Sequence, residues 1–141
     1  MALGLATHIA EQMNLTLDVD SAGTLMIEGQ PAATHAVSVC LDIGVNIENH
    51  RSKGLTETHC TWADYILVME SKHGQFIQAR FPSHQNKIIY LGHLIGQIEV
   101  PDPVGRWKRA FKTNRDMLQL SIKTFLEKIE KRKSKIANWT P

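Results

Sequence analysis

Apolar positions recur along this chain first at helical spacing, then at strand spacing, and the two alternate to its end. From Ala2 to Asn14, Leu5, Ile9 and Met13 stand four residues apart with Ala6 and Ala10 beside them, which predicts an amphipathic helix. From Leu15 to Ser21 the period changes to two. Leu15, Leu17 and Val19 alternate with Thr16, Asp18 and Asp20, the pattern of a half-buried strand. Ala22-Gly23-Thr24 closes it, and Leu25 to Gln30 reads as a loop. A second helix is expected from Pro31 to Asp42, with Pro31 in its first turn, Ala32, Ala36, Val39 and Cys40 inward, and Gly44 as its stop. After the loop Asn49 to Leu55, a short helical turn is expected from Thr56 to Thr61.

Ala63 to Met69 is a nearly continuous apolar run, as in a strand covered on both faces. Ser71 is expected to cap a third helix that runs through Arg80 and ends at Pro82. Lys87 to Leu91 reads as another buried strand. A turn region then extends to Gly105, followed by a long helix from Trp107 to Lys131. Its stripe is Phe111, Met117 or Leu118, Ile122, Phe125 and Ile129. The chain thus divides into one domain over residues 1–132 and a polar, frayed tail over 133–141. Strands alternating with helices predict an α/β fold with a doubly wound parallel sheet. Ligands of such sheets bind beyond the carboxyl ends of the strands, at Ser21 to Thr24, Met69 to Ser71 and the turn holding Asp102.

Composition narrows the function. The chain of 141 residues is 43% hydrophobic and 21% charged, ordinary for one soluble domain. A net charge of +2 suits an anionic substrate but is too weak to argue for nucleic acid. The two cysteines, Cys40 and Cys60, form no CxxC pair, so neither a disulfide framework, a metal site nor a cofactor is implied, and a reducing cytoplasm is expected. No apolar run approaches the roughly 20 residues that cross a bilayer, and residues 1–17 lack the pattern of a signal peptide.

Three landmarks carry the chemistry. The first is Asp20-Ser21-Ala22-Gly23-Thr24, followed by Gly29-Gln30-Pro31-Ala32. The second is His50-Arg51-Ser52-Lys53-Gly54-Leu55, then Ala63 to Met69. The third is Pro101-Asp102-Pro103-Val104-Gly105 ahead of the last helix. In this order, over roughly residues 1 to 130, they resemble the low-molecular-weight protein phosphatases, especially the bacterial branch that includes protein-arginine phosphatases.

The resemblance implies a flavodoxin-like three-layer sandwich and a phosphoprotein phosphatase working through a phospho-cysteine. In that family a Cys-x5-Arg-Ser loop after the first strand cradles the phosphoryl oxygens, and its thiolate attacks phosphorus. An aspartate of a later Asp-Pro turn protonates the leaving group and then activates water. Asp102 matches that acid, against the reading favoured on spacing alone, a turn aspartate preparing Pro103. Ser21 and His50 match positions that brace the phosphate loop, against the plainer readings of strand-end turn chemistry and a satisfied loop histidine. Arg51 and Lys53 read as a solvated basic turn, and Lys128 to Lys135 as a helix end favoured by the macrodipole.

Met1-Ala2 matches the residues just after the nucleophile loop. The first strand and that loop, on the order of a dozen residues, are therefore expected to be missing, with Met1 an internal methionine of a longer product. Neither cysteine replaces the lost one: Asn46 stands six residues after Cys40, and Ile66 six after Cys60. Cys40 reads as an inert thiol on an apolar helix face.

The expectation for the chain as given is an inactive phosphatase whose intact relatives act on a phosphorylated protein or small phosphate monoester. The alternative is a non-catalytic binding or regulatory protein of the same fold, able to self-associate through the unpaired sheet edge. Two departures bear on substrate. Val104-Gly105 stand where tyrosine-specific members place aromatic residues, and Glu70 to Arg80 lacks the redox cysteines of related arsenate reductases.

Overall fold

The structure is a computed structural model that describes residues 1–137, with side chains through Lys133. Its helices are α1 (Ala2–Gln12), α2 (Thr34–Leu41), α3 (Glu57–Trp62), α4 (Ser71–Arg80) and α5 (Lys108–Ala137). Strands β1 (Ile66–Val68) and β2 (Ile88–Tyr90) pair in parallel, with Ile66 opposite Ile88 and Val68 opposite Tyr90. Two 3-10 turns, Pro82–Lys87 and Gly92–Ile95, flank β2.

Side chains of a strand alternate between faces, and here the two faces meet different helices. Leu67 and Ile89 point into the main core, built from Leu5 and Ile9 of α1, Val39 and Cys40 of α2, and Leu118, Ile122 and Phe125 of α5. Tyr65, on the same parity, sets its ring edge against Phe125 at 5.3 Å between centroids. On the opposite parity Tyr90 lies against Gly74 of α4, and a Cβ there would sit 2.7 Å from the Tyr90 ring carbon Cζ. Helices therefore cover both faces of the sheet, the expected three-layer α/β arrangement. The α5 stripe is as expected: Phe111, Leu118, Ile122 and Phe125 are buried and Ile129 half-buried.

Local expectations differ in several places. The run Leu15 to Asp20 keeps its alternation, with Leu15, Leu17 and Val19 half-buried and Thr16, Asp18 and Asp20 exposed. It enters no ladder among the described residues, because a strand needs a neighbour whose backbone groups it can pair with. Helices cover both faces as expected of the apolar run Ala63 to Met69, but only Ile66–Val68 of it is strand, with Val68 buried and Ile66 and Leu67 half-buried. A sheet of two strands has no central strand, so each keeps an open edge. Pro31 does not open α2; it bridges Arg51 in an antiparallel contact, and Ala33 precedes the helix instead. The long helix continues to Ala137, past the expected end at Lys131. Of the polar tail, residues 138–141 lie outside the described residues.

Candidate functional site

The loops of the first two landmarks are joined by backbone contacts. Gly23 N–H donates to Lys53 O at 2.8 Å and Leu55 N–H to Gly23 O at 2.9 Å. These bonds lay the Ser21–Thr24 turn along the His50–Leu55 loop. An ion pair ties the same two loops, with Lys53 Nζ 2.6 Å from Asp20 Oδ2. Burial alone would raise the Asp20 carboxyl, but the Lys53 ammonium and the Ser21 N–H outweigh it and hold it below its ordinary range. Lys53 is therefore a paired, half-buried group rather than a solvated cation. Arg51 is exposed as expected, and its guanidinium donates to Glu48 O at 3.0 Å and His50 O at 2.7 Å.

His50 is half-buried beside these loops. Burial pushes its pKa down, and the positive charges of the Met1 amino group, Arg51 and Lys53 act in the same direction. The imidazole is thus held neutral, able to donate from one nitrogen and accept at the other.

Asp102 sits at the end of a different set of contacts. Its backbone N–H donates to Glu70 Oε1 at 2.9 Å, and its Oδ1 accepts Val104 N–H at 2.9 Å. Asn114 Nδ2 of α5 donates to Pro101 O at 2.7 Å. The peptide joining Pro101 to Asp102 is thus pinned at both its carbonyl and its N–H, while Asp102 stays exposed. Among the described residues no hydrogen bond or ion pair joins Asp102 to Ser21 or His50. The structure brings Ser21 and His50 onto two joined loops and holds Asp102 independently.

Sequence reasoning missed Glu70 and Glu99. Ser71 was expected to cap α4, but Glu70 is the N-cap residue, and its N–H donates to His73 Nδ1 at 3.3 Å. The first free helix N–H, that of Ser71, is satisfied by Glu99 Oε1 at 2.7 Å. Helix starts leave such donors open, and here two acids from separate segments fill the roles. The signal in the sequence was Glu70 three residues ahead of His73, a reciprocal capping pattern with histidine in place of the usual glutamate. Lys72 lies 2.6 Å from Glu70 Oε2 and, with the Asp102 N–H, keeps the Glu70 carboxyl ionised below its usual range.

Cys40 and Cys60 are free and buried, as the apolar helix face had implied for Cys40. Burial pushes both pKa values up, opposite to what a nucleophilic thiolate needs. Among the described residues no three His, Cys, Asp or Glu side chains are grouped to hold a metal ion.

The model of the family described as "Low molecular weight phosphotyrosine protein phosphatase" matches residues 1–135. The chain belongs to that family. A protein-arginine-phosphatase of Geobacillus stearothermophilus is 32% identical over 129 residues, covering 89% of this chain and 86% of the relative. A probable low molecular weight protein-tyrosine-phosphatase, EpsP, of Ralstonia nicotianae is 33% identical over 125 residues, with the same coverage. Among solved structures, the YwlE arginine phosphatase from Geobacillus stearothermophilus superposes with a TM-score of 0.82 at 29% identity, over 99% of this chain and 91% of that one. The low molecular weight phosphatase fold thus accounts for the α/β architecture and for the order of the landmarks.

Proposed function

We propose that this chain forms the acid side of a phosphoprotein phosphatase site, acting with a Cys-x5-Arg loop that residues 1–141 do not contain. The observation that carries the reading is Asp102. Its backbone is fixed by Glu70, its neighbour Pro101 by Asn114, and its exposed carboxylate follows the sheet in chain order. A thiolate attacks phosphorus, the bond from phosphorus to the substrate's oxygen or nitrogen breaks, and Asp102 gives its proton to that atom. Asp102 then takes a proton from the water that releases phosphate from sulfur. Ser21 and His50 brace the incoming loop by hydrogen bonds, a role suited to a neutral imidazole. Phosphotyrosine and phosphoarginine are the substrate classes of choice. Residues 1–132 form the domain that carries this acid side, and the cytoplasm is its compartment, in keeping with two unpaired cysteines.

The test has two arms. Residues 1–141, assayed on an aryl phosphate and a phosphoarginine peptide, are expected to turn over no faster than Asp102→Asn. Joined in frame to a strand and a Cys-x5-Arg-Ser loop, the same chain is expected to gain turnover. Asp102→Asn should then lower it by about 10²- to 10⁴-fold. Turnover by residues 1–141 that depends on Cys40 or Cys60 would overturn the reading.

A second reading rests on the fact that no Cys-x5-Arg occurs in the chain. As a non-catalytic protein it binds phosphorylated segments, and Leu15 to Asp20, in no ladder among the described residues, supplies an edge for a second copy. Light scattering separates the two readings: a monomer at all concentrations removes the self-association.

A further inference from the structure

We propose that the groove between the Pro101–Trp107 turn and α5 binds an acidic peptide segment, the residues flanking the phosphorylated side chain of a protein substrate. The partner's identity rests on the phosphatase reading; the binding surface does not. The groove encloses about 750 Å³ beside Asp102. Its rim is built by a tight turn in which Arg106 N–H donates to Pro103 O at 3.0 Å and Gly105 takes φ +79°. Positive φ at that position is the mark of a type II turn, which glycine enters without strain. Trp107 is 87% exposed, and Arg106 and Arg109 line the same groove.

Charge selects the ligand. Between Pro103 and Arg115 the chain carries Arg106, Lys108, Arg109, Lys112 and Arg115 and no acid. Arg106, Lys108, Arg109 and Lys112 form no ion pair among the described residues. Of these, Arg106 and Arg109 line the groove with the exposed Trp107, and two such cations with an aromatic side chain recognise carboxylates flanking an apolar or aromatic contact.

The groove wall supplies a second, independent sign. Asn114 lines it and is only 2% exposed. Its Nδ2 is committed to Pro101 O, which can only accept, so its Oδ1 is the free atom and has no partner. Such an orphan is costly in a folded protein. Oδ1 lies beneath the groove surface, so a peptide N–H satisfies it by displacing the atoms that cover it, and an acidic segment brings both the N–H groups and the carboxylates.

The experiment measures binding of a fluorescein-labelled, non-phosphorylated peptide rich in Glu and Asp to residues 1–141, against its Gln/Asn counterpart. The acidic peptide is expected to bind about tenfold more tightly, with the difference lost in Arg106→Glu/Arg109→Glu and kept in Lys128→Glu/Lys131→Glu. Circular dichroism checks the fold of each variant. Should the double variant unfold, two readouts remain: loss of the preference at high salt, and a change in tryptophan fluorescence on binding that disappears in Trp107→Phe. Equal affinity for the two peptides overturns the proposal. So does a preference that survives the double variant or high salt, or equal competition by a single-stranded oligonucleotide of the same charge. Hydrolysis plays no part in these measurements, so their failure is separate from failure of the phosphatase reading.

Discussion

Glu70 holds Asp102 by its backbone rather than by its carboxylate: Asp102 N–H meets Glu70 Oε1 at 2.9 Å, while the other Glu70 oxygen pairs with Lys72. One acid thus anchors the start of α4 and the turn that presents another acid. Glu70→Ala removes the acceptor and is expected to lower stability by about 1–2 kcal/mol in urea unfolding. Glu70→Gln retains an acceptor oxygen, loses an ion pair that is exposed on the lysine side, and should cost less than about 1 kcal/mol. Equal losses in the two variants would show that the Asp102 contact contributes nothing.

The same carboxylates give a pH dependence whose sign follows from their shifts. Asp20, Glu70 and Glu99 all lie below their ordinary values when folded. Each therefore adds stability that is complete above the unfolded carboxylate range, about pH 4 to 4.5, and is lost as pH falls through the folded value. His50 and His73 are also depressed, chiefly by burial, so the folded state favours their neutral forms. Their contribution is complete above about pH 6.5 and falls away below it. Thermal unfolding across pH should show two declines on acidification, the first reduced by His50→Gln and the second by Glu70→Gln. A midpoint unchanged from pH 7 to 3 would contradict both assignments.

Gly74 is the point where α4 rests on β2. An added Cβ would fall 2.7 Å from Tyr90 Cζ and closer still to its hydroxyl oxygen. Gly74→Ala is expected to destabilise by about 1–3 kcal/mol through overpacking, despite the better helix propensity of alanine. Adding Tyr90→Leu should recover part of the loss, and the double-mutant cycle measures the coupling directly.

Both thiols should be silent in the native protein. Cys40 is fully buried and Cys60 is 1% exposed, and burial raises both pKa values. A thiol reagent at neutral pH is expected to react with neither until denaturant is added, then with both. Fast native labelling of either would reopen the question of the nucleophile.

Much of the fold was legible because it rests on periodicity. The α5 stripe of Phe111, Leu118, Ile122 and Phe125, the alternation of Leu15 to Asp20, and the apolar runs of β1 and β2 all follow from which faces must leave water. The exposed corner that holds Asp102 was legible through its two flanking prolines. Glu70, Glu99 and Asn114 were not, because each acts through a backbone group far away in the chain: Asp102 N–H, Ser71 N–H and Pro101 O. Pro31 misled for a related reason. Its fixed φ suits a first helical turn as well as an extended bridge, and the contact with Arg51 selected the bridge.

By itself the sequence determined the order of elements, their inward faces and the family, since these depend on residue type and spacing. It also determined that residues 1–141 hold no Cys-x5-Arg. Only the tertiary structure decided that Lys53 is tied to Asp20, that Glu70 and Asn114 pin the corner around Asp102, and that Arg106, Trp107 and Arg109 border one groove. Those outcomes depend on hydrogen bonds and charges meeting across loops, and no local pattern encodes the distance between two loops until the core between them has packed.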